Sequence, residues 1–407
     1  MFTVPPQPPR TKLGRYRQLA PRAAIHVSPI CLGGMSIGDQ WTSSFGAMDK
    51  ESSFKLLDAY FDAGGNFIDT ANIYQNGTSE QFIGEWMAKR KNRDQMVLAT
   101  KYSNYTYNGS TSIEQRVNYV GNGTKSLKLS VEASLERFKT SYIDLLYVHW
   151  WDSHTSVEEM MDALHNLVAA GKVLYLGISD SPAWFVVKAN AYARSVGKTP
   201  FVVYQGEYSI LKRDMEREII PMCISEGVCF LTQKYEMSTD EFNNRSFNKG
   251  LGIHPWGVLA SGHIRSNEEE KRRLESGEKG RQIPDWNLDW IRSPEEVKVC
   301  DGLEKVAKEV GAKNIGALAI AYVLHKTQYM FPIIGGRKVE HLTSNIEALD
   351  ISLTPEQISY MDGLKPFEFG SPYDIFGKNG EYPMLVTIHA AIDNIPRPVP
   401  ITPTKQQ

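Results

Sequence analysis

The chain predicts an α/β fold, a single-domain (β/α)8 TIM barrel, on three observations. Short apolar runs and amphipathic stretches alternate eight times along its 407 residues. The runs are continuously apolar rather than alternating, the pattern of parallel strands covered by helices. An acid, a tyrosine, a lysine and a histidine stand at or just past the ends of three successive runs, where β/α barrels gather functional groups. An open doubly wound sheet is the competing topology, and it is weakened because no G-x-G-x-x-G follows an early strand.

Ser28 to Gly34 reads as the first strand, and Glu51 to Ala63 as its helix, with Phe54, Leu56, Leu57, Tyr60 and Phe61 on the apolar face. Gly64-Gly65 supplies the C-cap. Phe67 to Ala71, Met96 to Lys101 and Asp144 to His149 are the next three strands, with helices at Ser79 to Lys91, Leu127 to Phe138 and Val157 to Ala170. Val173 to Ser179 follows, and Ser181-Pro182 opens a helix, since proline in the first turn loses no hydrogen bond. Phe201 to Gln205 is the sixth strand, with a helix at Met215 to Ser225. Leu251 to Trp256 is the seventh strand. Ile315 to Lys326 is helical, Met330 to Ile334 is the eighth strand, and Val339 to Ala348 is its helix. Residues 264–292 read as a long polar loop. The boundaries are a flexible leader at 1–14, the barrel at 15–364, and a tail at 365–407 lying over the barrel mouth.

Hydrophobic content of 42% and charged content of 23% are those of a soluble globular protein. A net charge of −2 gives no electrostatic reason to bind nucleic acid or an anionic membrane. Cys31, Cys223, Cys229 and Cys300 are too few and too scattered for a disulfide framework or a metal site. The N-terminus has no apolar signal core and no run is long enough to span a bilayer, so a cytoplasmic location is expected. The Asn-Gly-Ser/Thr sequons at Asn76, Asn108 and Asn122 then read as polar turns.

Asp69, Tyr74, Lys101 and His149 suit carbonyl chemistry. A tyrosine donates a proton to a carbonyl if a neighbouring ammonium favours its phenolate, and a carboxylate keeps that ammonium charged and oriented. A histidine polarises the same oxygen through a hydrogen bond. Singly, each residue reads more readily as a strand-end charge or a packed side chain; the combination on consecutive strands favours chemistry.

Asp69-Thr70-Ala71-Asn72-Ile73-Tyr74, Thr100-Lys101 and His149-Trp150-Trp151-Asp152 together resemble the motifs of the aldo-keto reductases, over residues 15–365. The resemblance implies Tyr74 as proton donor, Asp69 and Lys101 as its tuning partners, and His149 orienting the carbonyl, with Trp150 beside the substrate. It implies NADP(H), held without a Rossmann fold. Gly33, Met35, Asp69, Ser179, Asp180 and Gln205 would lie at the nicotinamide end, with Trp256 and Gly257 against the ring. Asp180 stands where the family has asparagine, and an acid there does not donate as an amide does. Gly335, Arg337, Lys338, His341 and Asn345 resemble the adenosine 2′-phosphate site, at a helix N-terminus suited to anions. His341 and Ser344 depart from the arginine and glutamate common there, and Arg337 with Lys338 compensates.

Within the family, Gly171 to Gly177 and Thr199 to Gly206 look most like the fungal aryl-alcohol dehydrogenase and norsolorinic-acid-reductase branch. That implies small aromatic or polyketide carbonyl substrates of fungal secondary metabolism, in a pocket lined by Trp41, Trp150, Trp151 and the aromatic tail. The alternatives are a cofactor-binding regulatory protein resembling potassium-channel β-subunits, or an inactive pseudoenzyme. Residues 228–250 lack a counterpart in the family pattern and read as a surface insertion or a retained intron. Val228 to Thr232 within them competes as the seventh strand but offers no aromatic residue for the ring.

Overall fold

The computed structural model describes residues 9–42, 47–104, 113–226, 250–277, 290–377, 387–389, 391–392 and 399–403. Two strands the sequence reading missed come first. β1 (Arg17–Ala20) and β2 (Ala23–Val27) form an antiparallel hairpin. Leu19, Ala20, Ala23 and Val27 join the inner barrel core, so the hairpin seals one end of the barrel. The leader read as flexible through residue 14 is described from residue 9, and Leu13 is fully buried in the main core.

Eight parallel strands follow: β3 (Cys31–Gly33), β4 (Phe67–Asp69), β5 (Val97–Tyr102), β6 (Ile143–Val148), β7 (Val173–Ser179), β8 (Val203–Glu207), β9 (Gly252–Trp256) and β10 (Ile333–Ile334). Each of β3 to β8 pairs with the next, and β10 pairs with β3. Closure between β9 and β10 runs through a bridge at Ile253 and Met330, with Phe331 N–H donating to Ile253 O at 2.9 Å. This is the predicted (β/α)8 TIM barrel.

Side chains on a strand alternate between faces, and here they divide the core in two. Leu32, Ile68, Leu98, Leu146, Val148, Leu176 and Ile178 face the surrounding helices. Cys31, Phe67, Val97, Ala99, Leu145, Tyr147 and Val203 fill the barrel interior. Continuing the inward parity by two places reaches Gly33, Asp69, Lys101, His149 and Gln205. Gly177 is inward too, and a Cβ there would lie 2.5 Å from the Tyr147 ring, so only glycine lets that tyrosine cross the interior.

The helices close on local signals. α1 (Lys50–Asp62) is capped by Asp49, whose side chain accepts from Ser52 N–H, and Gly64 ends it at a left-handed φ of 91°. α2 (Thr78–Arg90), α3 (Thr124–Phe138), α4 (Val157–Ala169), α5 (Ala183–Ser195) and α6 (Ile219–Ser225) follow the strands as expected. The polar stretch read as a loop contains α7 (Asn267–Ser276), capped by Ser266 on Glu269 N–H. Two further helices open on capping boxes of the S/T-x-x-E/Q type: α8 (Pro294–Val310) from Ser293, and α11 (Pro355–Leu364) from Thr354. Between them lie α9 (Ile315–Leu324) and α10 (Val339–Ile346).

The atypical segment at 228–250 lies, except for Gly250, outside the described residues, as does the rival strand at Val228 to Thr232. The described chain on either side of it is joined: Leu251 N–H donates to Cys223 O at 2.8 Å. β9 forms and pairs with β8 from Gly252 to Trp256, so the seventh barrel strand is the expected one. The start of the tail is strapped down by Arg213 and Arg217, which donate to the carbonyls of Asp362, Glu368 and Phe369.

Candidate active site

Register brings the inward strand ends together. Gly33 lies opposite Asp69, Lys101 opposite Tyr147, and Ser179 opposite Gln205. Lys101 Nζ donates to Asp69 Oδ1 at 2.5 Å and to Thr70 O at 2.8 Å, and Gln205 Nε2 donates to Asp69 Oδ2 at 2.9 Å. All three residues are buried. Burial would lower the Lys101 ammonium, but Asp69 and Tyr74 outweigh it and leave the group above its usual value. The lysine is a fixed cation.

Tyr74 opens a turn just past β4, with Gln75 and Asn76 in left-handed conformations. Gln75 explains that strain. Its Oε1 accepts from the N–H groups of Gln40 and Trp41, and its Nε2 donates to Met35 O. The glutamine thereby ties the first loop to the tyrosine, and Trp41 stands edge-on to Tyr74 at 6.2 Å. Lys101 Nζ lies 5.1 Å from the centre of the Tyr74 ring. Burial raises the phenol above its usual range, and the downward pull expected of Lys101 is present but smaller. The phenol keeps its proton.

His149 meets Tyr74 edge-on at 6.0 Å. Its Nδ1 lies 3.1 Å from Asn104 Nδ2, a group that only donates. Nδ1 must then accept, and the ring proton sits on Nε2. Asn104 is held in turn by Asn72, which donates to Asn104 O at 2.8 Å. Burial, and then the Lys101 charge, hold His149 well below the usual histidine value, so it is neutral. Asn104 was missed by the sequence reading; nothing periodic marks a loop asparagine 45 positions from its partner.

These residues floor a cleft of about 2090 Å³ that runs to the N-terminus of α10. Gly33, Met35, Ser179, Asp180, Trp256 and Gly257 line its barrel end, while Gly335, Arg337, Lys338, His341 and Asn345 line its far end. The cleft is larger than the few hundred to about 1,000 Å³ of a drug-sized site and suits a dinucleotide with a second ligand. α10 has no side-chain cap at its N-terminus, leaving first-turn amides suited to an anion. On both counts the residues present fit a nicotinamide dinucleotide.

Trp41 and Trp150 line the cleft, and the Trp150 ring lies 4.7 Å from that of His149. Trp151 does not join them. It packs on Trp184 and Phe185, because consecutive residues past a strand end point apart. The described tail aromatics Phe367, Phe369 and Tyr373 pack on one another and on Arg213 and Arg217 instead of lining the cleft. The sequence reading also missed the α7 contribution to the wall, Glu268, Glu269, Arg272 and Arg273. Asn122, one of the sequons, is buried and bonded to Ser103 and Trp150 O; Asn108 lies outside the described residues. Among the described residues no cluster of metal-ligating side chains occurs, and no helix is long and apolar enough to cross a membrane.

A closed parallel barrel with a buried Asp–Lys pair, a tyrosine and a neutral histidine under one cleft has the architecture of a barrel oxidoreductase. The aldo/keto reductase family model matches residues 29–235 and 236–366, and the chain belongs to that family. It is 54% identical, over 98% of both chains, to an aryl-alcohol dehydrogenase [NADP(+)] of Phanerodontia chrysosporium. It is 49% identical to a norsolorinic acid reductase of Aspergillus flavus, over 90% of this chain and 85% of the other.

Proposed function

We propose that the chain is an NADP(H)-dependent oxidoreductase interconverting aldehydes or ketones and alcohols, on aromatic or polyketide-type substrates. The observation that carries this reading is the pre-assembled floor, in which a protonated Tyr74 sits beside the paired Lys101 and a neutral His149. Bound NADPH supplies a hydride to the carbonyl carbon.

The protein groups manage the oxygen. His149 Nε2–H and the Tyr74 hydroxyl can both donate from this floor, and a carbonyl oxygen accepting from both is polarised toward attack. As negative charge develops there, Tyr74 gives up its proton. The Lys101 ammonium, 5.1 Å from the ring centre, stabilises the phenolate left behind. Asp69, itself held by Gln205, and Thr70 O hold the ammonium in place, so it needs no reorganisation during the step.

Arg337, Lys338 and His341 at the α10 N-terminus would hold the 2′-phosphate, which favours NADP(H) over NAD(H). The names of the two relatives support the cofactor and the aromatic or polyketide substrate class. Trp41 and Trp150 are placed to hold a planar ring against the donors.

The test is the absorbance of NADPH with a panel of aromatic aldehydes and ketones, veratraldehyde among them. The expected result is consumption of NADPH and formation of the alcohol. Tight cofactor binding without turnover across the panel would overturn the reading in favour of a cofactor-binding regulatory role.

A further inference from the structure

Asp180 is a carboxylate lining the cleft that forms no salt bridge among the described residues. It follows Ser179 at the end of β7 with a left-handed φ of 40°, and its N–H donates to Gln205 O at 3.0 Å. That conformation sends the carboxyl across to β9, where Trp256 Nε1 donates to Oδ1 at 3.2 Å; Ser179 Oγ donates to Oδ2 at 3.3 Å. Lys101 is committed to Asp69, and Lys212 to Glu207. The titratable groups facing Asp180 are Lys101 on β5, Tyr74 past β4, and Tyr204 and Glu207 on β8. Partial removal from water pushes the carboxyl up to about 6 against the Trp256 and Ser179 hydrogen bonds, with Lys101 and Glu207 pulling in opposite directions. The residue as a whole is exposed to the cleft.

We propose that ionised Asp180 discriminates between the two redox forms of the cofactor, favouring the cationic oxidised ring, and that protonation of Asp180 removes this preference. The inference rests on the reading that the nicotinamide lies at the barrel end of the cleft. The two forms share carboxamide, riboses and phosphates and differ by one positive charge on the ring. Only charge at this end can tell them apart. Lys101 is paired with Asp69 and Lys212 with Glu207, which weakens the field of each at the ring. Asp180 is the carboxylate there with no salt bridge among the described residues. A carboxylate here would accept from the carboxamide NH2 of either form, so that hydrogen bond would not discriminate; the field would. One partly screened charge next to the ring is worth about tenfold in relative affinity. By reciprocity, binding the oxidised cofactor lowers the carboxyl's proton affinity more than binding the reduced one.

The experiment is a pair of dissociation constants, for NADP+ and for NADPH, measured on the full chain by tryptophan fluorescence quenching between about pH 5 and pH 8. The 2′-phosphate also titrates near pH 6, but it is common to both ligands and cancels in their ratio. The ratio of the NADP+ to the NADPH constant should fall about tenfold as pH rises through 6, and stay at its acid value in Asp180→Asn. Asp180→Ser removes the same charge and serves if the asparagine variant does not fold. A flat wild-type ratio would overturn the proposal, and so would a pH dependence that survives in either variant. If neither nucleotide binds, the nicotinamide reading itself fails; if both bind with a constant ratio, only the role of Asp180 does.

Discussion

The two ends of the cleft are built on opposite principles. At the barrel end, Asp69, Lys101 and Gln205 are buried and bonded to one another, and buried His149 is bonded to Asn104, before any ligand arrives. At the far end, Arg337, Lys338 and His341 are exposed around the N-terminus of a short helix. A buried pair is expensive to break because its partner is left uncompensated. An exposed cation is cheap to remove and is screened by salt. The barrel end is therefore suited to steering a reaction, and the far end to adjusting affinity.

The largest test of that contrast is Lys101→Met. It should leave the Asp69 carboxylate buried with Gln205 as its remaining side-chain donor, cost about 3–5 kcal/mol in urea unfolding, and abolish turnover. A loss under about 1 kcal/mol, the range of a surface pair, would show that the floor is not pre-assembled in this sense. Asn104→Ala comes next. Freed from Asn104, His149 can hold its proton on either nitrogen, and kcat should fall about 10- to 100-fold, as when other orienting partners of histidine are lost. Cofactor affinity should stay within about twofold, because Asn104 acts on the histidine alone. An unchanged kcat would remove Asn104 from the account. Arg337→Ala should have the smallest effect. The dissociation constant for NADP+ should rise about tenfold at low salt and less at high salt, with that for NAD+ and the unfolding midpoint unchanged. Equal weakening of both nucleotides would place the 2′-phosphate elsewhere.

The same contrast explains what could be read from the sequence. The barrel and its floor were legible because strand parity is strict: Asp69, Lys101, His149 and Gln205 all sit on the inward phase of apolar runs. Contacts made by loops were not. Asn104 reaches His149 from an irregular segment, and Gln75 grips the first loop from a turn whose left-handed residues are not glycine. The N-terminal hairpin escaped because its strands are four and five residues long around Pro21-Arg22, with no Asn-Gly signal. α7 was legible and overlooked. Ser266 followed by Glu269 is the Ser-x-x-Glu pattern of a helix start, but the polar composition of the stretch hid it. Trp151 shows the limit of motif reading: adjacent to Trp150 in sequence, it serves a surface aromatic cluster and not the cleft.

The central claim is that Tyr74 gives its proton to the substrate oxygen while the rest of the floor holds the geometry. Tyr74→Phe removes one hydroxyl and keeps the ring against Trp41 and His149. Its kcat for an aromatic aldehyde, measured alongside the NADPH dissociation constant, tests this most directly. The account predicts a fall of about 10²- to 10⁴-fold in kcat with cofactor affinity nearly unchanged. A variant that turns over within a few-fold of wild type would contradict it.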